Sequence, residues 1–303
     1  MARRTLKLPK SYELAVSRSE HLIAALGRNV VCADLQTMRR IGSWHPLSHP
    51  SSASFDYVEA RLAVKSTSGE IAIVDVRDGG VMSSLREKGL EEGASLHFAG
   101  SDEYLVDASW SGTICVRRAD TLAGTAQFEF PDEMITEVSP SADRLSWLFA
   151  HQPKTRSGEN SSDPPYLSLW RWPLAAPAAI FPTGLDNLYA AALSPCGSFI
   201  ALVGYRHSSK ATLLSILSID GALLREVPTS VGGTGSSTRW SPDGRLLGTV
   251  QAKGFAIFEA ESLSSRGCIA AEFPSDMAFL ADSRIAIGTW EFGAIADLPA
   301  ADA

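Results

Sequence analysis

His97, Glu137 and Arg239 are the residues of this 303-residue chain whose types and places suit chemistry. Each stands one position before the apolar residue of a short strand (Phe98, Val138, Trp240), in a phrase that the chain repeats. An imidazole and a carboxyl on neighbouring repeats could pass a proton, and a guanidinium farther round would hold a small anion. The same groups could instead form an ion pair that satisfies buried polarity without catalysis. The equivalent positions of the other repeats read Ala15, Ser54, Ala192 and Ala278, which add no acid or base.

Other chemical signatures are missing. The chain has no Gly-x-Ser-x-Gly elbow, no His-Glu-x-x-His, no Gly-x-x-x-x-Gly-Lys loop and no Cys-x-x-Cys. Gly232-Gly-Thr-Gly235 lies between two strands instead of between a strand and a helix, so it reads as a crossover and not as a phosphate cradle. His45 and His49, beside Pro46 and Pro50, read as loop residues. Cys32, Cys115, Cys196 and Cys268 fall in four separate repeats without paired short spacings, as small apolar or turn residues do. No metal and no cofactor is expected.

The elements that must position these side chains follow from the repeat. A polar turn and then an apolar strand recur seven times, most plainly in Trp240-Ser-Pro-Asp-Gly-Arg-Leu-Leu-Gly-Thr-Val250 and Leu193-Ser-Pro-Cys-Gly-Ser-Phe-Ile-Ala-Leu-Val203. The first apolar residues after the turns are Leu22, Leu62, Tyr104, Leu145, Phe199, Leu246 and Ile285, at intervals of 40, 42, 41, 54, 47 and 39 residues. The stretch from Ile285 through both termini to Leu22 spans another 40. Units of short strands cannot bury their own faces, so they stack, and a period that closes on itself predicts an all-β, seven-bladed propeller of four-stranded antiparallel blades, residues 1–303 forming one domain. An apolar residue sits six positions before five of these anchors. Phe55 and Val138 sit seven before theirs, which reads as a turn one residue longer in those two units.

Each unit reads as inner strand, second strand, third strand and outer strand, with sheet alternation. The last unit has three, and Thr5-Leu-Lys-Leu8 is expected to supply its fourth, joining head to tail and covering an open edge. The 54-residue interval contains a polar insertion at about 151–165, rich in proline and serine, expected to be mobile in blade 4.

Ser68-Gly-Glu-Ile-Ala-Ile-Val-Asp-Val-Arg-Asp78, Ser111-Gly-Thr-Ile-Cys-Val-Arg-Arg-Ala-Asp-Thr121 and the Ser-Pro-Asp-Gly turn resemble divergent WD-repeat (WD40-like) propellers, over nearly the whole chain. No Gly-His dipeptide opens a unit, and the Trp-Asp position reads Ala33-Asp34, Val74-Asp75, Arg117-Arg118 and Trp170-Arg171. The family's Ser-His-Trp-Asp hydrogen-bond network is therefore expected to be absent. The resemblance implies a non-catalytic scaffold or adaptor whose partner is another protein. The alternative is an enzyme or small-ligand binder, lactonase-like or lyase-like, with its site in the axial channel.

The face carrying the second-to-third strand loops holds Arg28, Lys65, Trp110, Tyr205, Arg206 and Trp290 among its bases and aromatics, and Trp170 and Trp172 follow the blade 4 insertion. Trp110, Tyr205, Arg206, Trp290, Trp170 and Trp172 are the candidate partner-binding residues, because aromatics and arginine carry most interface energy. Packing at the blade ends is the plainer role for each. Acidic crossovers, including Glu87, Glu91, Glu92, Glu133 and Asp276, make that face mixed in charge. The net charge of −7 opposes steering to nucleic acid. With no apolar run of signal or membrane-span length, a soluble cytoplasmic protein is expected.

Overall fold

The computed structural model describes residues 6–86, 93, 95–154, 163–230, 237–281 and 283–299. They form seven four-stranded antiparallel sheets, arranged as the blades of a closed propeller. The inner strands are Glu13–Val16, Pro50–Phe55, Leu96–Ala99, Glu133–Pro140, Asn187–Leu193, Thr238–Trp240 and Pro274–Leu280. Blade 7 runs Pro274–Leu280, Arg284–Thr289, Gly293–Asp297 and then Lys7–Leu8, so the N-terminal segment does complete the last sheet. Its ladder pairs Lys7 with Ala294 and Leu8 with Gly293, and Leu8 is buried. The strand is shorter than 5–8: Leu6 precedes it, and Thr5 lies outside the described residues. The insertion in blade 4 also falls largely outside them, at 155–162.

The turn between inner and second strands shows why the phrase repeats. In Ser241-Pro-Asp-Gly244, the Ser241 hydroxyl donates to Asp243 at 2.6 Å and accepts from Leu246 N at 2.8 Å, while Gly244 adopts φ +73°. A left-handed residue there costs little when it is glycine. The backbone bond that closes the turn joins Ser17 N to Leu22 O, Asp56 N to Arg61 O, Ser141 N to Ser146 O, Ser194 N to Phe199 O and Ser241 N to Leu246 O. The turns of blades 2 and 4 are therefore the ordinary length, which corrects the expectation of a longer one. Polar Arg61 and Ser146 open those second strands, and the apolar residue falls one place away. The correction moves blade 4's register by two: its counterpart to Ala15 and Arg239 is Ser139, and Glu137 matches Glu13.

Apolar faces interleave between neighbouring blades. Trp147, Phe149 and Trp170, all buried, fill the contact of blades 3 and 4 with Val106, Val116 and Phe128. Second and third strands are apolar on both faces, as sheets buried between sheets must be, whereas outer strands expose alternate residues.

Candidate functional site

A funnel of about 550 Å³ lies on the axis, open on the face of the inner-to-second strand turns. Six of the seven side chains expected there do line it: Ala15, Ser54, His97, Ala192, Arg239 and Ala278. Ser139 takes the place expected of Glu137. Alternation along the same strands, two residues farther from the mouth, sets a second layer that includes Glu13, Ser52, Ser95, Glu137, Ser237 and Asp276. Glu13 and Asp276 were missed from sequence because only one layer was read. Asp276, which reads as a crossover residue from sequence, lies in the inner strand Pro274–Leu280.

Inner strands are sheet edges, so their outward N–H and C=O groups need partners. Neighbouring blades supply them. Ser52 Oγ accepts from Leu96 N at 3.0 Å, Ser139 Oγ from Leu193 N at 2.9 Å, and Asp276 Oδ2 from Leu14 N at 2.9 Å. Trp240 Nε1 donates to Ala192 O at 3.1 Å, and the Glu13 carboxyl accepts from Ala53 N and the Ser52 hydroxyl. His97 Nε2 bonds Val138 O at 3.1 Å, not Glu137, so the expected His–Glu pair does not form. Arg239 bonds Asp276 at 3.2 Å, and Ser237 Oγ donates to the same carboxylate at 2.8 Å. Every junction between blades is thus stitched near the axis.

Burial sets the charge states. The His97 imidazole is driven down to about 3 by burial, with Arg144 adding to the effect. It is neutral, and its bond to a carbonyl places the proton on Nε2 and leaves Nδ1 as an acceptor. Burial raises Glu13 to about 8, helped by Asp276 and opposed by Arg239. Burial likewise raises Glu137 to about 7, with Arg239 pulling it down and Asp276 pushing it up. Asp276 holds Arg239 firmly protonated. Arg239 keeps 36% of its side chain open to the funnel although protein surrounds it.

The mouth carries a second ionic group. Arg144 occupies the turn position that glycine holds in blades 5 and 6, at φ +57°. Its guanidinium meets Asp102 at 2.5 Å and Phe55 O at 2.7 Å, and lies 4.0 Å over the Tyr57 ring, with Arg18 on that ring as well at 4.5 Å. These contacts fix a backbone conformation that arginine otherwise disfavours.

Blade 4 holds a hydrogen-bonded relay that the sequence does not mark. Trp170 Nε1 donates to Ser168 Oγ at 2.8 Å, Ser168 Oγ bonds His151 Nε2 at 2.6 Å, and His151 Nδ1 bonds Glu133 at 2.7 Å. Burial would raise Glu133, but hydrogen bonds from His151 and Tyr166 outweigh it and hold the carboxyl low. Trp, Ser, His and a carboxylate thus connect in one chain across three strands of the blade. The Ser–His–Glu part has the connectivity of a nucleophilic triad. Ser168 is 1% exposed and already accepts from Trp170, so no substrate carbonyl reaches it. The relay locks the blade.

The expected docking residues separate. Trp170 is buried in the relay, and Trp172 packs on Tyr104 at 5.5 Å, so neither is a free anchor. Lys65 is buried against Asp107 at 2.6 Å and Ala108 O, a strap between blades 2 and 3 and not a surface base. Arg206 forks onto Glu226 at 2.7 Å through both terminal nitrogens, with Tyr205 half-buried against His207. Trp110 and Trp290 are exposed, on blades 3 and 7. Trp290 has company that the sequence did not mark: Phe273 and Phe292 expose 55% and 42%, beside 49% for the tryptophan. Trp290 N donates to Phe273 O at 3.0 Å, and the Trp290 ring lies 5.6 Å from Tyr12. Lys10, Tyr12, Arg28 and Trp290 enclose a cleft of about 140 Å³ with Ser11 and Gly27. Gly27 is required there, because a Cβ would meet Lys10 O at 2.4 Å.

Among the described residues, no group of three or more His, Cys, Asp and Glu side chains is arranged to hold a metal ion. No helix of the described residues is long and apolar enough to cross a membrane. No protein-family model and no curated protein matches the chain. Solved structures do. The Cps50 (Swd1) β-propeller domain of Myceliophteria thermophila aligns with a TM-score of 0.76 at 12% identity, over 97% of this chain and 98% of that one. Hydrazine synthase of Kuenenia stuttgartiensis aligns with a TM-score of 0.77 at 13% identity, over 97% of each. At such identities the likeness is one of fold.

Proposed function

We propose that this protein is a non-catalytic interaction scaffold of the WD-repeat type, which docks another protein on the face of the second-to-third strand loops. The observation that carries the reading is the group of exposed aromatics at the junction of blades 7 and 1, Phe273, Trp290 and Phe292, with Tyr12 beneath. Large apolar side chains left in water on a rigid ring are anchors awaiting a cover. His97 and Arg239, by contrast, are engaged in holding blades together. A preformed platform also loses little entropy on docking. The test is affinity capture from the native host with wild type and Trp290→Ala in parallel. A partner that the wild type retains is lost by the variant, whose affinity falls roughly 30-fold for an anchor worth about 2 kcal/mol. Equal retention by both proteins refutes the site.

The alternative, a small-ligand binder, is favoured by one observation: the funnel is of ligand size and has Glu13, His97 and Arg239 in its lining.

A further inference from the structure

The small cleft at the seam of the ring has a lining of two kinds. Tyr12 and Trp290 give it aromatic surface, and Lys10 and Arg28 stand exposed on it. No carboxylate lines it. Glu13 lines the axial funnel instead, and Glu272 and Glu291, exposed beside Phe273 and Trp290, are outside the lining. Among the described residues neither Lys10 nor Arg28 is held in an ion pair, whereas Arg61, Arg144, Arg206 and Arg239 all are.

Hydrogen bonds frame the cleft. Ser11 N donates to Thr289 O at 3.0 Å and Tyr12 OH to Gly27 O at 2.8 Å, which joins the segment after the closing strand to the loop of blade 1 and the hairpin of blade 7. A volume of about 140 Å³ is well below that of a small-molecule site and suits a single side chain. Residues 6–44, the closing strand and blade 1, hold six Lys and Arg against three Asp and Glu, in a chain with 27 against 34. The cleft therefore opens on the basic sector of an acidic ring, which draws a partner's carboxylates there and repels them elsewhere.

We propose that this cleft receives an acidic segment of the partner protein, one aliphatic side chain seated against Tyr12 and Trp290 and the carboxylates flanking it on Lys10 and Arg28. This rests on the docking face proposed above and adds the chemistry of what docks there. The socket supplies the anchor, because a buried apolar side chain carries most of the energy of such a contact. The two bases supply the choice of partner, because charges at a rim set orientation and specificity more than strength. A basic segment meets like charge, and a neutral one leaves both bases unused.

Fluorescence anisotropy with three short labelled peptides tests this, each with one central leucine, flanked by aspartate, serine or lysine. At about 0.05 M salt the aspartate peptide binds roughly fivefold tighter than the serine peptide, as two exposed ion pairs allow, and the lysine peptide binds weakest. The net charge of −7 by itself favours the opposite order, so local and bulk attraction are told apart. At about 0.5 M salt the advantage shrinks to about twofold or less. Lys10→Glu with Arg28→Glu inverts the order of the aspartate and lysine peptides, and Trp290→Ala weakens all three. All three substituted side chains are exposed, so the ring keeps its fold. Equal affinities for the three peptides, or an order that the double variant leaves unchanged, overturn the acidic class, and a loss in Trp290→Ala then still keeps the docking site. Affinities that Trp290→Ala leaves unchanged overturn the docking reading itself. Absence of binding by all three peptides at about 5 mM overturns the cleft as a socket. Self-association of the protein, seen by sedimentation and abolished by Trp290→Ala, makes a second copy the occupant and overturns an external partner.

Discussion

Replacing Asp276 by alanine tests the stitched axis where it carries most. One carboxylate, 3% exposed, accepts from Leu14 N at 2.9 Å, Ser237 Oγ at 2.8 Å and Arg239 at 3.2 Å, and so ties blade 7 to blades 6 and 1. Truncation leaves Leu14 N without its partner, about 1–3 kcal/mol for a buried donor. It also leaves Arg239 unpaired, about 3–5 kcal/mol where such a charge is fully buried. Arg239 is 36% open to the funnel, and Glu13 and Glu137 can ionise in compensation, so the charge contribution is discounted to roughly 1–2 kcal/mol. The expected loss is then about 2–5 kcal/mol. Urea unfolding followed by intrinsic fluorescence measures it as a lower midpoint at unchanged slope. Asp276→Asn keeps an acceptor for Leu14 and is expected to lose about half as much. A loss below about 1 kcal/mol for the alanine variant would refute the claim that this carboxylate joins the blades.

Two further outcomes follow from the same structure. Leu8→Ala, at a buried position in the two-residue strand that closes blade 7, is expected to cost about 2–3 kcal/mol in the same unfolding assay, and a cost near zero would mean that the latch does not hold the ring. Stability should respond to pH through groups moved in opposite directions. His97, lowered to about 3 from its ordinary 6.5, contributes stability that is present above pH 6.5 and lost as pH falls towards 3. Glu13 and Glu137, raised to about 8 and about 7 from 4.5, contribute stability that is present below pH 4.5 and lost as pH rises through those values. Midpoints of wild type and Glu13→Gln should therefore lie close at pH 4.5 and separate in the variant's favour as pH rises to 9; no divergence would contradict the buried state of Glu13.

The period, the closing interval and the turn chemistry are local properties, so blade number, strand order and the shared terminal sheet were legible before any coordinates. A serine, proline and glycine at fixed offsets dictate a turn, and alternation dictates which side chains face the axis. Alternation followed for one layer identified Ala15, Ser54, His97 and Arg239 correctly, and one more step along each strand would have reached Glu13 and Asp276. Exposure was another matter. Lys65 and Arg206 look free in sequence, yet Asp107 and Glu226 claim them, and no spacing rule pairs residues 42 or 20 positions apart. Trp170 and His151 joined into a relay for the same reason, through a serine on one strand and a glutamate on another. Phe273, Trp290 and Phe292 became a patch only when a crossover and a hairpin met at the seam of the ring. The chain's own repeat determined the scaffold, because short-range backbone preference and apolar pattern suffice for it. Which polar and aromatic groups remain available was decided by tertiary structure, because availability depends on what each group meets across a blade boundary.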